Sequence, residues 1–242
     1  MSKESQTVYS ESEWKIKKTE RFFTNFFVNA PFRFMARKIV NQIYIYPITP
    51  NMISILGIFI VAIGGIILIS SNESNSWRAI PFFLAISLFA ALDGTLARKK
   101  KIFSPFGSWI GMFSERLEYM IMSIAFSWYI YSVTHDYLSM FCCILTYVFR
   151  EGIGTMTTLT IGKMPTGWNK LYSEEYFYQN NKLIKFAVKS FFYTGTTYVI
   201  LVCTAIIFPS NFLLLVFMFV YAVSSYIISL LVLGKKIYGV KS

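Results

Sequence analysis

The sequence predicts an all-α integral membrane protein with six transmembrane helices and an N-terminal amphipathic helix in the membrane interface. Hydrophobic residues make up 55% of the 242 residues and charged residues only 14%, and the mean hydropathy is +0.51. This composition is too apolar and too sparsely charged for an ordinary soluble domain. The apolar residues also form long runs, and a spanning helix needs about 20 such residues.

Two domains are expected: a cytoplasmic or interfacial segment, residues 1–50, and a six-helix membrane domain, residues 51–242. The boundary falls where a mixed, charged sequence gives way to the first long apolar run, which Pro50 is well placed to open as a helix. We place the spanning runs near residues 52–71, 79–97, 106–133, 137–162, 186–208 and 212–233.

The segment from residue 22 to 43 predicts the amphipathic helix. Apolar residues such as Ala36 and Val40 follow helical spacing on one face, while Arg37 and Lys38 fall on the other. This pattern is typical of a helix that lies in the membrane interface. The alternative is a helix that packs against a soluble partner.

The formal net charge of +11 comes from basic residues that gather at alternate connections. By the positive-inside rule, both termini and the connection after the second run are cytoplasmic. Short basic clusters beside apolar runs fit lipid headgroups, so we expect membrane lipids as partners and no nucleic acid. The clusters include Arg98, Lys99, Lys100, Lys101, Lys163, Lys170, Lys182, Lys185, Lys189, Lys235, Lys236 and Lys241.

Ionisable residues interrupt the apolar sequence where the second run ends and the third begins, and such residues in spanning helices are functional candidates by default. Their spacing resembles the signature of the CDP-alcohol phosphotransferase family, Asp-x2-Asp-Gly-x2-Ala-Arg-x8-Gly-x3-Asp-x3-Asp. The positions that match are Asp93, Gly94, Ala97, Arg98 and Gly107. Three positions depart from it, because Ala90, Gly111 and Glu115 stand where the family has Asp.

The resemblance implies a membrane transferase of phospholipid biosynthesis. It would move a phosphatidyl or substituted phosphoryl group from a CDP-linked lipid or CDP-alcohol to an alcohol acceptor. In the family, three carboxylates hold Mg²⁺ or Mn²⁺ against the CDP pyrophosphate, and the fourth is the general base. Carried over, Asp93 and Glu115 are the metal ligands and Glu115 is also the catalytic base. The implied nucleotide-binding residues are Asp93, Gly94, Ala97, Arg98 and Gly107.

The departures leave a second function open. Ala90 and Gly111 are both small and are predicted to face each other across the cleft, which indicates the coordinated removal of one metal position. The alternative is a degenerate relative that binds a CDP-lipid, another lipid or a protein partner without catalysis. Transport is disfavoured because no discontinuous helix pair or inverted repeat is evident.

Four further charges fall inside the third and fourth runs at similar depths, given a rise of about 1.5 Å per residue. The depths predict the ion pairs Glu118–Arg150 and Arg116–Glu151, which would neutralise buried charge. The alternative is that Arg150 reaches an anionic acceptor, as a resemblance to the phosphatidylglycerophosphate synthase branch implies, with Lys185 beside it. We also expect a homodimer.

The predicted topology can be tested by cysteine accessibility. Single cysteines near Lys100 and Lys163 are expected to resist a membrane-impermeant thiol reagent added outside the cell, whereas a cysteine near Asn75 is labelled. Labelling from outside near Lys100 or Lys163, without labelling near Asn75, would contradict the orientation.

Overall fold

The computed structural model describes residues 26–102, 104–161 and 195–237. These residues form seven α-helices and one 3₁₀ turn, and no strand. The predictions for Lys163 and Lys185 lie outside the described residues. The helices are α1 (Phe26–Ile43), α2 (Pro50–Ile69), α3 (Ile80–Lys100), α4 (Pro105–Thr134), α5 (Tyr137–Ile161), α6 (Gly195–Ile207) and α7 (Phe212–Ile237), with the 3₁₀ turn at Ser76–Ala79.

Helices α2 to α7 coincide with the six predicted runs, except that the run predicted from residue 186 begins before the described part of α6. Within the described residues, two segments are long and apolar enough to cross a membrane, Pro50–Ile69 and Ser76–Lys100. The all-α class is therefore observed, whereas a count of six spans stays a prediction.

The start of α2 and the start of α4 are fixed by the same local chemistry. Thr49 caps α2 by accepting a hydrogen bond from the Met52 N–H at 3.3 Å. Ser104 caps α4 by accepting from the Gly107 N–H at 2.9 Å. In each case a proline follows the cap, where its missing N–H costs no helical hydrogen bond. Both helices therefore begin at the end of the bundle where α3 ends.

The start of α5 is held by Asp136, in the connection after α4. Its carboxylate accepts hydrogen bonds from the Ser139 hydroxyl and from the N–H groups of Leu138 and Ser139. These bonds, that of the Ser139 hydroxyl foremost, hold the pKa of Asp136 below its ordinary value. Because this cap follows α4 almost directly, the connection between α4 and α5 is very short.

Helix α2 packs against both α3 and α4, and its glycines allow the close approach. A Cβ atom on Gly64 would lie 2.5 Å from Cβ of Phe82 in α3. A Cβ atom on Gly65 would lie 3.4 Å from the Ile121 side chain of α4, which is an ordinary contact. The α2–α3 crossing is therefore set by the contact of Gly64, in the second half of α2, with Phe82, in the first turn of α3.

The apolar stripe of α1 is buried against its own chain. Ala36 and Val40 are fully buried in a cluster with Leu92 and Leu96 of α3. The helix predicted as amphipathic therefore uses its apolar stripe to dock on α3, while Phe34 remains largely exposed beside the basic residues. Its location in the membrane interface stays a prediction.

Two lysines directly after Arg98 strengthen this docking. Lys99 donates a hydrogen bond to the Asn41 side chain at 2.6 Å. Lys100 donates to the backbone carbonyl groups of Tyr46 and Ile48 at 2.6 and 2.8 Å. These lysines therefore hold α1 and the segment after it against the end of α3.

Gly64 and Gly65, two adjacent glycines of α2, provide a matched stability test. Gly64→Ala is expected to destabilise the protein by about 1–3 kcal/mol, because the new methyl group meets Cβ of Phe82 and cannot be relieved by a side-chain rotation. Gly65→Ala is the control and should be neutral or slightly stabilising, since alanine favours a helix over glycine by about 0.5–1 kcal/mol. Thermal unfolding in detergent measures both. Equal effects of the two changes would contradict a close α2–α3 contact at Gly64.

Candidate functional site

The site begins with Asp93, in the last two turns of α3. Its Oδ2 atom accepts a hydrogen bond of 2.7 Å from the Ser54 hydroxyl of α2. Its Oδ1 atom accepts from the N–H group of Gly94. Ser54 is only 4% exposed, so water competes little for this bond. The carboxylate is thus held in one position between two helices.

Arg98 extends from the same part of α3 and is exposed. Its Nη2 atom lies 3.2 Å from the Thr95 hydroxyl, and its guanidinium folds back over Gly94. A Cβ atom at Gly94 would lie 3.4 Å from the guanidinium, an ordinary contact, so this glycine is not required for packing. Ala97, one residue before Arg98, is half-buried and accepts the hydrogen bond from the Ile102 N–H that ends the helix.

Gly107 has a clearer steric role. A Cβ atom there would lie 3.0 Å from the Ser104 hydroxyl and 3.3 Å from the Asn51 side-chain oxygen. Asn51 belongs to the first turn of α2, so the absent side chain lets the starts of α2 and α4 meet. Gly107 therefore lies in a close contact between the starts of these two helices.

Gly111, which stands where the signature has its third Asp, faces Asp93 directly. A Cβ atom on Gly111 would lie 3.6 Å from the Oδ2 atom of Asp93. A carboxylate at position 111 would therefore project toward Asp93, but the glycine leaves that place without a side chain. Ala90, one turn before Asp93, is exposed. Gly111 thus lies against Asp93, and the apposition of Ala90 and Gly111 stays a prediction.

Glu115 lies one turn beyond Gly111 and close enough to Asp93 for the two charges to repel. Its Oε1 atom is 3.8 Å from Nη2 of Arg150, and its side chain is 44% exposed. Arg150 also contacts the neighbouring Glu151. The residue predicted as the catalytic base is therefore both accessible and paired with a cation from α5.

Of the two predicted ion pairs, one is formed. Arg116 and Glu151 approach to 3.7 Å. The other is wrong, because Arg150 turns toward Glu115 instead of Glu118. Glu118 is 3% exposed and its carboxylate packs on Gly57 of α2, where a Cβ atom would lie too close to its Oε1 atom.

Tyr119 accounts for the direction that Arg150 takes. The Arg150 guanidinium carbon lies 3.5 Å from the centre of the Tyr119 ring, a cation–π arrangement. A Cβ atom on Gly195, at the start of α6, would collide with the Tyr119 hydroxyl. Tyr198 packs on the other side, with 6.2 Å between ring centres. The ring is fixed by α6 and in turn directs Arg150 toward Glu115.

Sequence reasoning missed Ser54 and Tyr119 as members of the site. Ser54 stands five residues after Thr49 in a strongly apolar run, and a single hydroxyl there is the one available signal. Tyr119 stands four residues after Glu115, on the same face of α4, which could have indicated a shared environment. Lys185, predicted to bind the acceptor, lies outside the described residues.

These elements define a helical membrane protein with a polar site at one end of α2, α3 and α4. A carboxylate, an exposed guanidinium and a second, paired carboxylate line it. The model of the CDP-alcohol phosphatidyltransferase family matches residues 47–228, and the chain belongs to this family. No curated protein sequence matches the chain significantly.

The family is membrane-embedded, acts in phosphoryl transfer for lipid synthesis and generally depends on a divalent metal. The residues described here do not fit a complete metal site. They contain no group of three or more His, Cys, Asp or Glu side chains placed to hold a metal ion. Asp93 is engaged by Ser54, Gly111 supplies no ligand, and Glu115 is paired with Arg150.

The two replaced positions can be restored as a test. Ala90→Asp with Gly111→Asp is expected to create a Mn²⁺ site beside Asp93, because position 111 faces that carboxylate. Each single change should do less, since an unpaired carboxylate in this site is costly without a shared cation. Mn²⁺ binding measured by electron paramagnetic resonance should therefore be non-additive. A folded double variant that binds Mn²⁺ no better than the parent would show that these positions do not share a site.

Proposed function

We propose that the protein binds a CDP-linked donor at the site formed by α2, α3 and α4 and transfers its phosphatidyl or substituted phosphoryl group to an alcohol. The observation that carries this proposal is the placement of Arg98 on the same stretch of α3 as the rigidly held Asp93. A guanidinium presents a planar fork that matches phosphate oxygens. Family membership supports the reaction class.

Donor binding is assigned to the residues that keep the family pattern. Arg98 would contact the pyrophosphate, and its guanidinium lies over Gly94. Gly107 would line the site where the starts of α2 and α4 meet. The cytosine nucleotide would then lie against Asp93, while the lipid part of the donor remains among the apolar helices.

Glu115 is the candidate base on the acceptor side. It would take the proton of the acceptor hydroxyl as the oxygen attacks the phosphoryl group, and the bond between phosphorus and the CMP oxygen would break. Its accessibility fits this role, and the Arg150 cation would hold its carboxylate in place. Arg150, and by sequence Lys185, would attract an acceptor that carries an anionic group.

Binding without catalysis is the second candidate, and a specific contact favours it. Gly111 faces Asp93 where the family has a carboxylate, and Arg150 competes for the carboxylate of Glu115. A protein with this site would retain a CDP-lipid, another lipid or a protein partner without releasing CMP. For either function we propose a multi-pass protein with both termini and the site at the cytoplasmic face, and a homodimer.

The two candidates are separated by measuring CMP release. Purified full-length protein in lipid nanodiscs is incubated with CDP-diacylglycerol and a set of alcohols: a polyol, an amino alcohol and an alcohol phosphate. CMP release that depends on one alcohol, is abolished by Glu115→Gln and yields a new lipid supports transfer. Saturable CDP binding with no CMP release from any alcohol, with Mg²⁺ or Mn²⁺ present or absent, supports binding alone.

Arg98 should dominate affinity for the nucleotide. Arg98→Ala is expected to weaken CDP binding by about tenfold or more, because a hydrogen bond to a charged group contributes about 1.5–3 kcal/mol. Arg78→Ala is the matched control, since Arg78 is also exposed but precedes α3 at its opposite end. Isothermal titration calorimetry compares both variants with the parent. Equal affinities for all three would remove the reason for placing the pyrophosphate at Arg98.

A further inference from the structure

Both carboxylate oxygens of Asp93 are satisfied by donors of the chain itself. The Ser54 hydroxyl is 3.3 Å from the carbonyl oxygen of Pro50 but only 2.7 Å from Oδ2 of Asp93, and its single proton belongs to the shorter bond. The N–H group of Gly94 is directed at Oδ1. The carboxylate is thus oriented by α2 and by its own helix.

On the α4 side of the site, the described residues have a glycine where a second carboxylate ligand could lie. A Cβ atom on Gly111 would lie 3.6 Å from Oδ2 of Asp93, but glycine has no side chain. Glu115, the next acidic residue of that helix, is directed to Arg150. Mg²⁺ requires near-octahedral oxygen ligands at about 2.0–2.1 Å, whereas here Asp93 is engaged by Ser54 and Glu115 is paired with Arg150.

We propose that nucleotide binding by this chain is independent of divalent metal, and that Asp93 acts as a hydrogen-bond acceptor for a hydroxyl or amino group of the nucleoside. An ionised carboxylate has about four lone-pair sites, and the two internal donors leave the others for a ligand. Arg98 then contacts the phosphates without a bridging ion. This inference rests on the proposed donor site.

The two possible roles of Asp93 respond differently to an isosteric change. Asp93→Asn keeps one acceptor oxygen and removes the negative charge that repels phosphate, so a hydrogen-bonding role survives it. A metal-binding role does not, because an uncharged amide is a far weaker ligand for a hard cation. Asp93→Ala removes either role.

Calorimetry with the full-length protein in nanodiscs tests the inference, with CDP and inorganic pyrophosphate titrated in EDTA and in Mg²⁺. CDP affinity of the parent is expected to agree within about threefold between the two conditions. Asp93→Asn should bind CDP within about threefold of the parent, and Asp93→Ala about tenfold more weakly, as for a lost hydrogen bond. Neither change should weaken pyrophosphate binding, since that ligand has no nucleoside.

Ser54 supplies an independent arm and Glu73 a control. Ser54→Ala should weaken CDP binding. Ser54→Thr should bind CDP like the parent, because threonine keeps the hydroxyl that orients Asp93. Glu73→Gln alters an exposed carboxylate in the connection between α2 and α3 and should change nothing. Size-exclusion profiles and thermal unfolding establish that each variant is folded.

Three results would overturn the inference. A tenfold or larger gain in CDP affinity with Mg²⁺, together with an Asp93→Asn variant as weak as Asp93→Ala, would show that Asp93 is a metal ligand while leaving the proposed function intact. Loss of pyrophosphate binding in Asp93→Asn would exclude nucleoside recognition by this residue. Absence of CDP binding in both conditions would overturn the inference and the donor site together.

Discussion

The hydrogen bond between Ser54 and Asp93 is the interaction on which the arrangement of this site depends. A carboxylate in a membrane helix needs donors close at hand, because few waters are available to solvate it. Ser54 supplies one from α2, and this fixes the rotation of α2 relative to α3. Gly64 allows those helices to approach closely further along, and Gly111 lets α4 reach the same carboxylate. The position of one polar pair thereby constrains three helices.

A second polar layer, on α4 and α5, ties the candidate base to the rest of the bundle. The Arg150 side chain extends from α5, stacks on Tyr119 and approaches Glu115. Its guanidinium therefore pairs with the candidate base rather than with Glu118. Because α6 abuts Tyr119 through Gly195, a shift of α6 would move the ring and the guanidinium together. Glu115 is thus connected through Arg150 and Tyr119 to α5 and α6, so the position of the candidate base depends on both helices.

Much of the fold could be predicted because long apolar runs and cap residues report directly on helices. The signature placed Asp93, Arg98 and Gly107 correctly near one end of the bundle. Depth alone predicted the Arg116–Glu151 pair, but it failed for Glu118, because equal depth does not fix which side of a helix a residue occupies. Ser54 could not be predicted as a partner of Asp93, since a lone hydroxyl in an apolar run leaves no pattern and its role depends on helix rotation.

The retained and replaced residues bear on function in opposite ways, and the contacts around Asp93 favour a retained ligand site. If Asp93 were a remnant of a lost metal site, an apolar replacement would relieve the cost of a half-buried carboxylate, and nothing would require a donor beside it. Instead Ser54 and the Gly94 N–H group solvate that carboxylate internally. Arg98 remains exposed close to it, and an exposed guanidinium next to an oriented carboxylate presents both a cation and an acceptor to one ligand. A nucleotide has phosphates for the first and hydroxyl or amino groups for the second. The arrangement therefore favours a ligand that spans both groups over either a bare metal ion or a purely structural ion pair.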